Sequence, residues 1–126
     1  MFIIVRTVFL FSLLMQPSAS VSFLEKTTVI VRNSLEGRQD LFLHCMSKDN
    51  DLGMQQLRFD QTFRWSFRVN FFETTLFHCS FQWQGASHKF AIYEAKRDDE
   101  VCSQCSWIVK QEGPCLVFDH PYCFKW

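Results

Sequence analysis

Two dipeptides put a nucleophile beside a base: His44-Cys45 and His78-Cys79. A thiol next to an imidazole is the pairing that covalent catalysis uses, with the base taking the thiol proton. Cys102 and Cys105, with two residues between them, have the spacing of half a zinc site. Asp49-Asn50-Asp51, shortly before Gly53, offers the hard oxygen ligands that calcium takes. Each chemistry makes a demand on the backbone, and the flanking residues say whether it is met.

The demand fails for both His-Cys pairs. "LFHCSFQWQ" alternates, with Phe77, Cys79, Phe81 and Trp83 on one face and His78, Ser80, Gln82 and Gln84 on the other. That is a half-buried β-strand, and neighbours on a strand project to opposite faces. Cys45 likewise shares a face with Leu41 and Leu43, so neither histidine reaches the thiol beside it. The two histidines both face outward, as an acid-base pair acting on RNA would, but no positive cluster accompanies them. No catalytic residue and no enzyme activity are expected. A calcium loop counted from Asp49 places Met54 sixth, where glycine is needed, and Asp60 twelfth. "KDNDLG" therefore reads as a structural turn, and no metal or other cofactor is expected.

The same periodicity lays out the scaffold. "TFRWSFRVN" sets Phe63, Trp65, Phe67 and Val69 against Thr62, Arg64, Ser66, Arg68 and Asn70. Further strands are expected at Thr27–Asn33, Asp40–Met46, Gln56–Phe59, His88–Ala95, Cys105–Gln111 and Cys115–Phe118, separated by turns such as Asp98-Asp99-Glu100 and Gly113-Pro114. The fold class is all-β: a small, disulfide-stapled antiparallel β-sandwich of about eight strands.

Composition agrees. The 126 residues suit one domain, and 15 Phe with 4 Trp and 2 Tyr favour strands. Thirteen basic residues balance 13 acidic ones, so nucleic acid is not an expected partner. Arg6, the apolar run Val8–Met15 and the small residues after Pro17 have the plan of a secretory signal peptide over residues 1–20, with cleavage conceivable up to 22. The mature domain is then 21–126, outside the cell and with no membrane insertion, because Arg6 interrupts the apolar span.

In a secreted chain six cysteines argue for disulfides, and the second zinc half-site is missing. Cys45, Cys79 and Cys105 all have inward parity. The expected bridges are Cys45–Cys105, Cys79–Cys102 and Cys115–Cys123; the first would close about 60 residues, worth roughly 4 kcal/mol.

"NSLEGRQDLFLHCMSKDNDLG" resembles the signature of the plant self-incompatibility S-protein homologues. Asn33, Leu35, His44, Cys45, Ser47, Lys48, Asp49, Asp51, Leu52 and Gly53 match it, while Asn50 stands where the family has a middle Asp. "TFRWSFRVNFFETTLFHCSFQW" is similar to the family's aromatic strand, Asn-Phe-Phe bend and Phe-x-Cys strand, and "FAIYEAKRDDEVCSQCSWIVKQEGPC" to its Arg-Asp turn and Cys-x-x-Cys-x-Trp. The likeness runs from Thr27 to Cys115; Cys115 and Cys123 look like a pair carried by some members only. It implies a secreted signalling ligand whose partner is a cell-surface receptor, as for the pistil-secreted determinants of poppy that act in pollen-pistil self-incompatibility.

Recognition surfaces usually lie on loops. The candidates are Lys48, Asp49, Asn50 and Asp51; Phe71, Phe72 and Glu73 in the bend to Thr75; and Arg97, Asp98 and Asp99. The competing role is a secreted carbohydrate-binding or defence module.

Overall fold

The computed structural model describes residues 26–119 and 121–126, so the expected leader lies outside the described residues. Nine strands follow in order: β1 (Lys26–Asn33), β2 (Leu41–Met46), β3 (Asp51–Leu57), β4 (Thr62–Arg68), β5 (Leu76–Trp83), β6 (Ala86–Glu94), β7 (Gln104–Lys110), β8 (Gly113–Val117) and β9 (Tyr122–Cys123). A one-turn helix, α1 (Ala95–Asp98), links β6 to β7. They form two sheets, β4-β1-β7-β8-β9 and β3-β2-β5-β6.

All strand pairs are antiparallel except β1 with β7, which run parallel with Val29 opposite Cys105 and Val31 opposite Trp107. The chain enters the five-stranded sheet as β1, crosses to the other sheet twice and returns each time. β7 thus comes back beside β1 after an even number of reversals and points the same way. That parallel pair is the one exception in the antiparallel sandwich expected.

The alternating faces meet as the periodicity requires. Val29 and Val31 of β1, Leu41, Leu43 and Cys45 of β2, Phe77, Cys79 and Phe81 of β5, and Trp107 and Val109 of β7 are buried in one core. Burying such side chains stabilises by about 1.5–3 kcal/mol each. A bulge in the β5–β6 ladder between Phe77 and Cys79 lets the consecutive Ile92 and Tyr93 both turn inward, which simple alternation would forbid.

One end of the sandwich is tied by a buried polar residue, Asn33 at the end of β1. Its Nδ2 donates to the carbonyls of Gln39 (2.7 Å) and Leu57 (2.9 Å), and its Oδ1 accepts from Leu35 N–H (3.0 Å). The amide thus meets the approach to β2 and the end of β3 at once. A buried polar group fully satisfied in this way holds its neighbours to one arrangement.

The disulfides correct two of the expected pairings. Cys45 is bonded to Cys79, because β2 and β5 are neighbours and the two residues are register partners. Cys105 is in the other sheet, beside Val29, and bonds to Cys102 three residues earlier. Neither Cys45–Cys105 nor Cys79–Cys102 exists. Shared inward parity puts sulfurs in the same core, but only strand order decides which are adjacent. Cys115 is bridged to Cys123 across the β8–β9 ladder.

Three boundaries differ too. β3 begins at Asp51 rather than Gln56, Gly113-Pro114 opens β8 rather than forming a turn, and β9 adds a short strand beyond the expected set. Past β9 the chain straps the side of the sandwich. Phe124 packs on Phe90 and Trp107, and Trp126 stacks on His88 with ring centroids 4.7 Å apart. Phe124 N–H donates to the Pro114 carbonyl (2.9 Å) and the Trp126 indole to that of Gln111 (2.8 Å). The strap passes so close to Gly113 that a Cβ there would lie 1.8 Å from the Phe124 carbonyl oxygen. Only glycine fits beneath it.

Candidate recognition site

Because strand directions alternate along the chain, the connections β2–β3, β4–β5 and β6–β7 all emerge at the end opposite Asn33. These are the three loops nominated from the sequence, and a backbone bond from Ala95 N–H to the Thr75 carbonyl (3.0 Å) joins the last two.

"SKDNDLG" splits into a turn and a strand start. Ser47 N–H donates to the Asn50 carbonyl (2.8 Å), and Asn50 N–H donates to Ser47 Oγ (3.1 Å), closing a tight four-residue turn. Lys48, Asp49 and Asn50 stand exposed on it. Asp51 already belongs to β3, with its Oδ1 accepting from Gly53 N–H (2.9 Å) and paired with His44 Nε2. These two hydrogen bonds, that from His44 the larger effect, hold the Asp51 carboxyl below its ordinary range. Gly53 takes a positive φ of 78° within the first residues of β3.

The β4–β5 connection is organised by Asn70. Its Oδ1 accepts from Thr74 N–H (2.8 Å), its Nδ2 meets Thr74 Oγ1 (2.7 Å), and its N–H donates to Thr75 Oγ1 (2.9 Å). Glu73 N–H donates to the Asn70 carbonyl (3.1 Å). At the apex Phe71 and Phe72 are 80% and 78% exposed, with their rings edge to face at 5.5 Å.

The third loop behaves differently. Asp98, 2% exposed, accepts from Arg97 Nε and from Glu94 N–H (2.7 and 2.9 Å). Arg97 also donates to the Ala91 carbonyl (2.8 Å), and its guanidinium lies over Phe90, Trp107 and Phe124. Arg97 and Asp98 are thus not a freely solvated turn: they fasten α1 to the core and to the strap. Their charges looked like a solvated turn, yet the guanidinium is used as a flat, stackable group. Asp99 stays exposed. Burial, assisted by the Asp99 carboxylate, pushes the nearby Tyr93 phenol up to about 12.

The first two loops rim one open cleft of about 510 Å³. Ser47, Lys48, Asp49 and Asn50 line it on one side and Asn70, Thr74 and Thr75 on another, with Phe67, Arg68, Leu76, Phe77 and His78 from the strand ends. Arg68, Asn70 and His78 went unnominated. Alternation already put Arg68 and His78 on outer faces, but nothing in it says that β4 ends beside the start of β5. A second, smaller depression of about 290 Å³ is mostly apolar, lined by Val101, Leu116, Phe118, Tyr122 and Phe124 beside Arg97 and Asp98.

The histidines of the two His-Cys pairs share the outer face of the four-stranded sheet, His44 opposite Ser80 and His78 opposite Met46. Both partner cysteines are locked in the bridge behind them. Among the described residues no group of three or more His, Cys, Asp or Glu side chains is arranged to hold a metal ion, and no helix is long and apolar enough to cross a membrane.

Residues 28–126 match the family model of plant self-incompatibility protein S1. S-protein homolog 5 of Arabidopsis thaliana is 40% identical over 101 residues, covering 80% of this chain and 79% of that protein. S-protein homolog 2 of the same plant is 38% identical over 110 residues, covering 80% and 68%. Self-incompatibility protein S1 of Papaver rhoeas is 37% identical over 99 residues, covering 76% and 71%. The fold is also that of a solved SPH (self-incompatibility protein homologue) structure, from a family described as small, highly stable, secreted proteins of plants. That match has a TM-score of 0.60 at 19% identity and covers 81% of this chain and 92% of the other.

Proposed function

This chain belongs to the plant self-incompatibility protein S1 family, and from that premise we propose that it is an extracellular ligand, read by a cell-surface receptor through the end of the sandwich that carries Phe71 and Phe72. It is a secreted plant protein of the S-protein homologue family. Self-incompatibility, named in its Papaver relative, is the first process in which to look for the receptor.

The observation that carries the reading is the exposure of two adjacent phenylalanines on a loop whose backbone is already fixed by Asn70. Exposed aromatics held rigidly are the anchors that interfaces favour, because little conformational freedom remains to be lost on binding. Three disulfides and the Asn33 hub support the role by keeping both ends of the scaffold in place.

The test is the double substitution Phe71→Ser and Phe72→Ser. The melting temperature should stay at the wild-type value, since neither ring lies in the core. Binding of labelled protein to pollen and stigma cells should fall by roughly tenfold or more. Wild-type cell binding by a normally folded variant would sink the proposal.

A further inference from the structure

One of the three disulfides stands apart by its place in the fold. Cys45, Cys79 and Cys105 belong to the core, and Cys102 packs against it. Cys115 and Cys123 do neither. Leu116 of β8 points into the core, so its neighbour Cys115 points to the outer face of the five-stranded sheet, where Cys123 of β9 is its register partner. Cys115 is 2% exposed, but Cys123 is open to solvent. An incoming thiolate therefore reaches one sulfur of this bridge without disturbing the core, whereas the other two bridges lie in the core or against it.

The same bridge roots the strap. β9 is two residues long and Cys123 is the second of them. Beyond it Phe124 packs on Phe90 of β6 and Trp107 of β7, and Trp126 packs on Phe81 and Trp83 of β5 and His88 of β6. The strap thus bonds to the five-stranded sheet through the Pro114 and Gln111 carbonyls while its rings lie on the four-stranded one. So short a terminal stretch frays readily unless it is tied down. Cys115 and Cys123 are 8 apart in sequence, and for that separation chain entropy makes detachment from β8 rarer by up to roughly fiftyfold.

From this placement we infer that Cys115–Cys123 is a thiol-exchange site, opened by an external dithiol while the rest of the protein stays folded, and that opening it releases the strap. One thiolate of the dithiol attacks the exposed Cys123 sulfur. The bond between the two protein sulfurs breaks, and Cys115 leaves as a thiolate that takes a proton from water. The second thiolate of the reagent then attacks the reagent's own sulfur in the mixed disulfide and frees Cys123, which is protonated in turn. Two electrons pass from the dithiol, which ends as a cyclic disulfide, to the two protein thiols. The strap is then held by hydrogen bonds and ring contacts alone, and its release uncovers Trp83, Phe90 and Trp107 along the side between β6 and β8. The latch lies at the β9 edge of the five-stranded sheet, and Phe71 and Phe72 follow the strand at its other edge, so the inference does not rest on the receptor reading.

The experiment treats the wild-type protein in native buffer with dithiothreitol, caps free thiols with N-ethylmaleimide, and maps the labels by peptide mass spectrometry. Labels should appear on Cys115 and Cys123 alone, with the far-ultraviolet circular dichroism unchanged. Hydrogen exchange at the Phe124 amide and the Trp126 indole, followed by NMR, should quicken by about tenfold or more and return to its first rate on reoxidation. The Cys115→Ala, Cys123→Ala double variant should show the faster exchange without reductant and no response to it. The wild-type reduction is a complete test by itself should that variant fail to fold. Labels that appear first on Cys102 and Cys105, on all six cysteines together, or only in denaturant would overturn the inference. So would labels on Cys115 and Cys123 with exchange in the strap unchanged, since the bridge would then be reachable but no latch.

Discussion

Cys45 and Cys79 stand directly opposite each other across the β2–β5 ladder, their Cα atoms 4.0 Å apart and both fully buried. The bridge closes a sequence separation of 34, whereas Cys102–Cys105 closes only 3. Chain entropy values the first at roughly 4 kcal/mol and the second at about 1.5 kcal/mol. Replacing Cys45 and Cys79 together by Ala should lower the melting temperature by about 15 °C or more. The matched Cys102, Cys105 double replacement should lower it by less than half as much. Thermal unfolding followed by circular dichroism decides, and equal losses would contradict the ranking.

Gly113 should not tolerate a side chain. Gly113→Ala puts a methyl group into the Phe124 carbonyl, so the strap must lift, and overpacking of this sort costs about 1–3 kcal/mol. The indole N–H of Trp126, which donates to the Gln111 carbonyl, is the reporter. In the variant its NMR resonance should move toward the solvent-exposed position and exchange faster with water.

Asp98→Asn tests whether α1 is fastened by charge. The substitution keeps size and removes the anion that holds Arg97 against Phe90, Trp107 and Phe124. Arg97 remains 26% exposed, which softens the cost of an unpaired cation, so a loss of about 2 kcal/mol is expected in denaturant unfolding. Asp99→Asn, on an exposed neighbour, should change stability by about 0.5 kcal/mol or less.

The Asp51 carboxyl gives a pH signature. Its folded pKa lies below the ordinary 3.8, so its contribution to stability is present above that value and is lost as pH falls through the folded pKa. His44→Ala removes the larger cause. The Asp51 titration, followed by carboxyl carbon NMR, should then move up toward the ordinary range while retaining the smaller effect of the Gly53 N–H. No upward movement would show that the pair is not formed in solution.

How far the fold was legible depends on what each pattern encodes. β4 and β5 could be read because Phe63 to Arg68 and Phe77 to Gln82 alternate without interruption. The start of β3 could not, since Asp51-Leu52-Gly53 has the composition of a turn and becomes strand only through pairing with β2. Two of the three disulfide pairings failed for a related reason: alternation assigns a face to each cysteine, while a partner depends on which strands are neighbours. In the candidate site, Lys48 and Phe71 were legible as loop residues. Arg97 and Asp98 were not legible as buried, because nothing local shows that three aromatic rings from β6, β7 and the strap converge on one guanidinium.

The parallel β1–β7 pair sets an order on biosynthesis. Every ladder of the four-stranded sheet can form once Glu94 has emerged, and Cys45 and Cys79 are both available well before that. The five-stranded sheet has no centre until residues 104–109 arrive to pair with β1, a strand made near the beginning. Long-range pairing of this kind is slow, because so much chain must be closed before any contact rewards it. A nascent chain halted between β6 and β7 would carry a finished sheet whose apolar face still lacks most of its cover. Such a halted intermediate is the form of this molecule most exposed to aggregation and to capture by a chaperone.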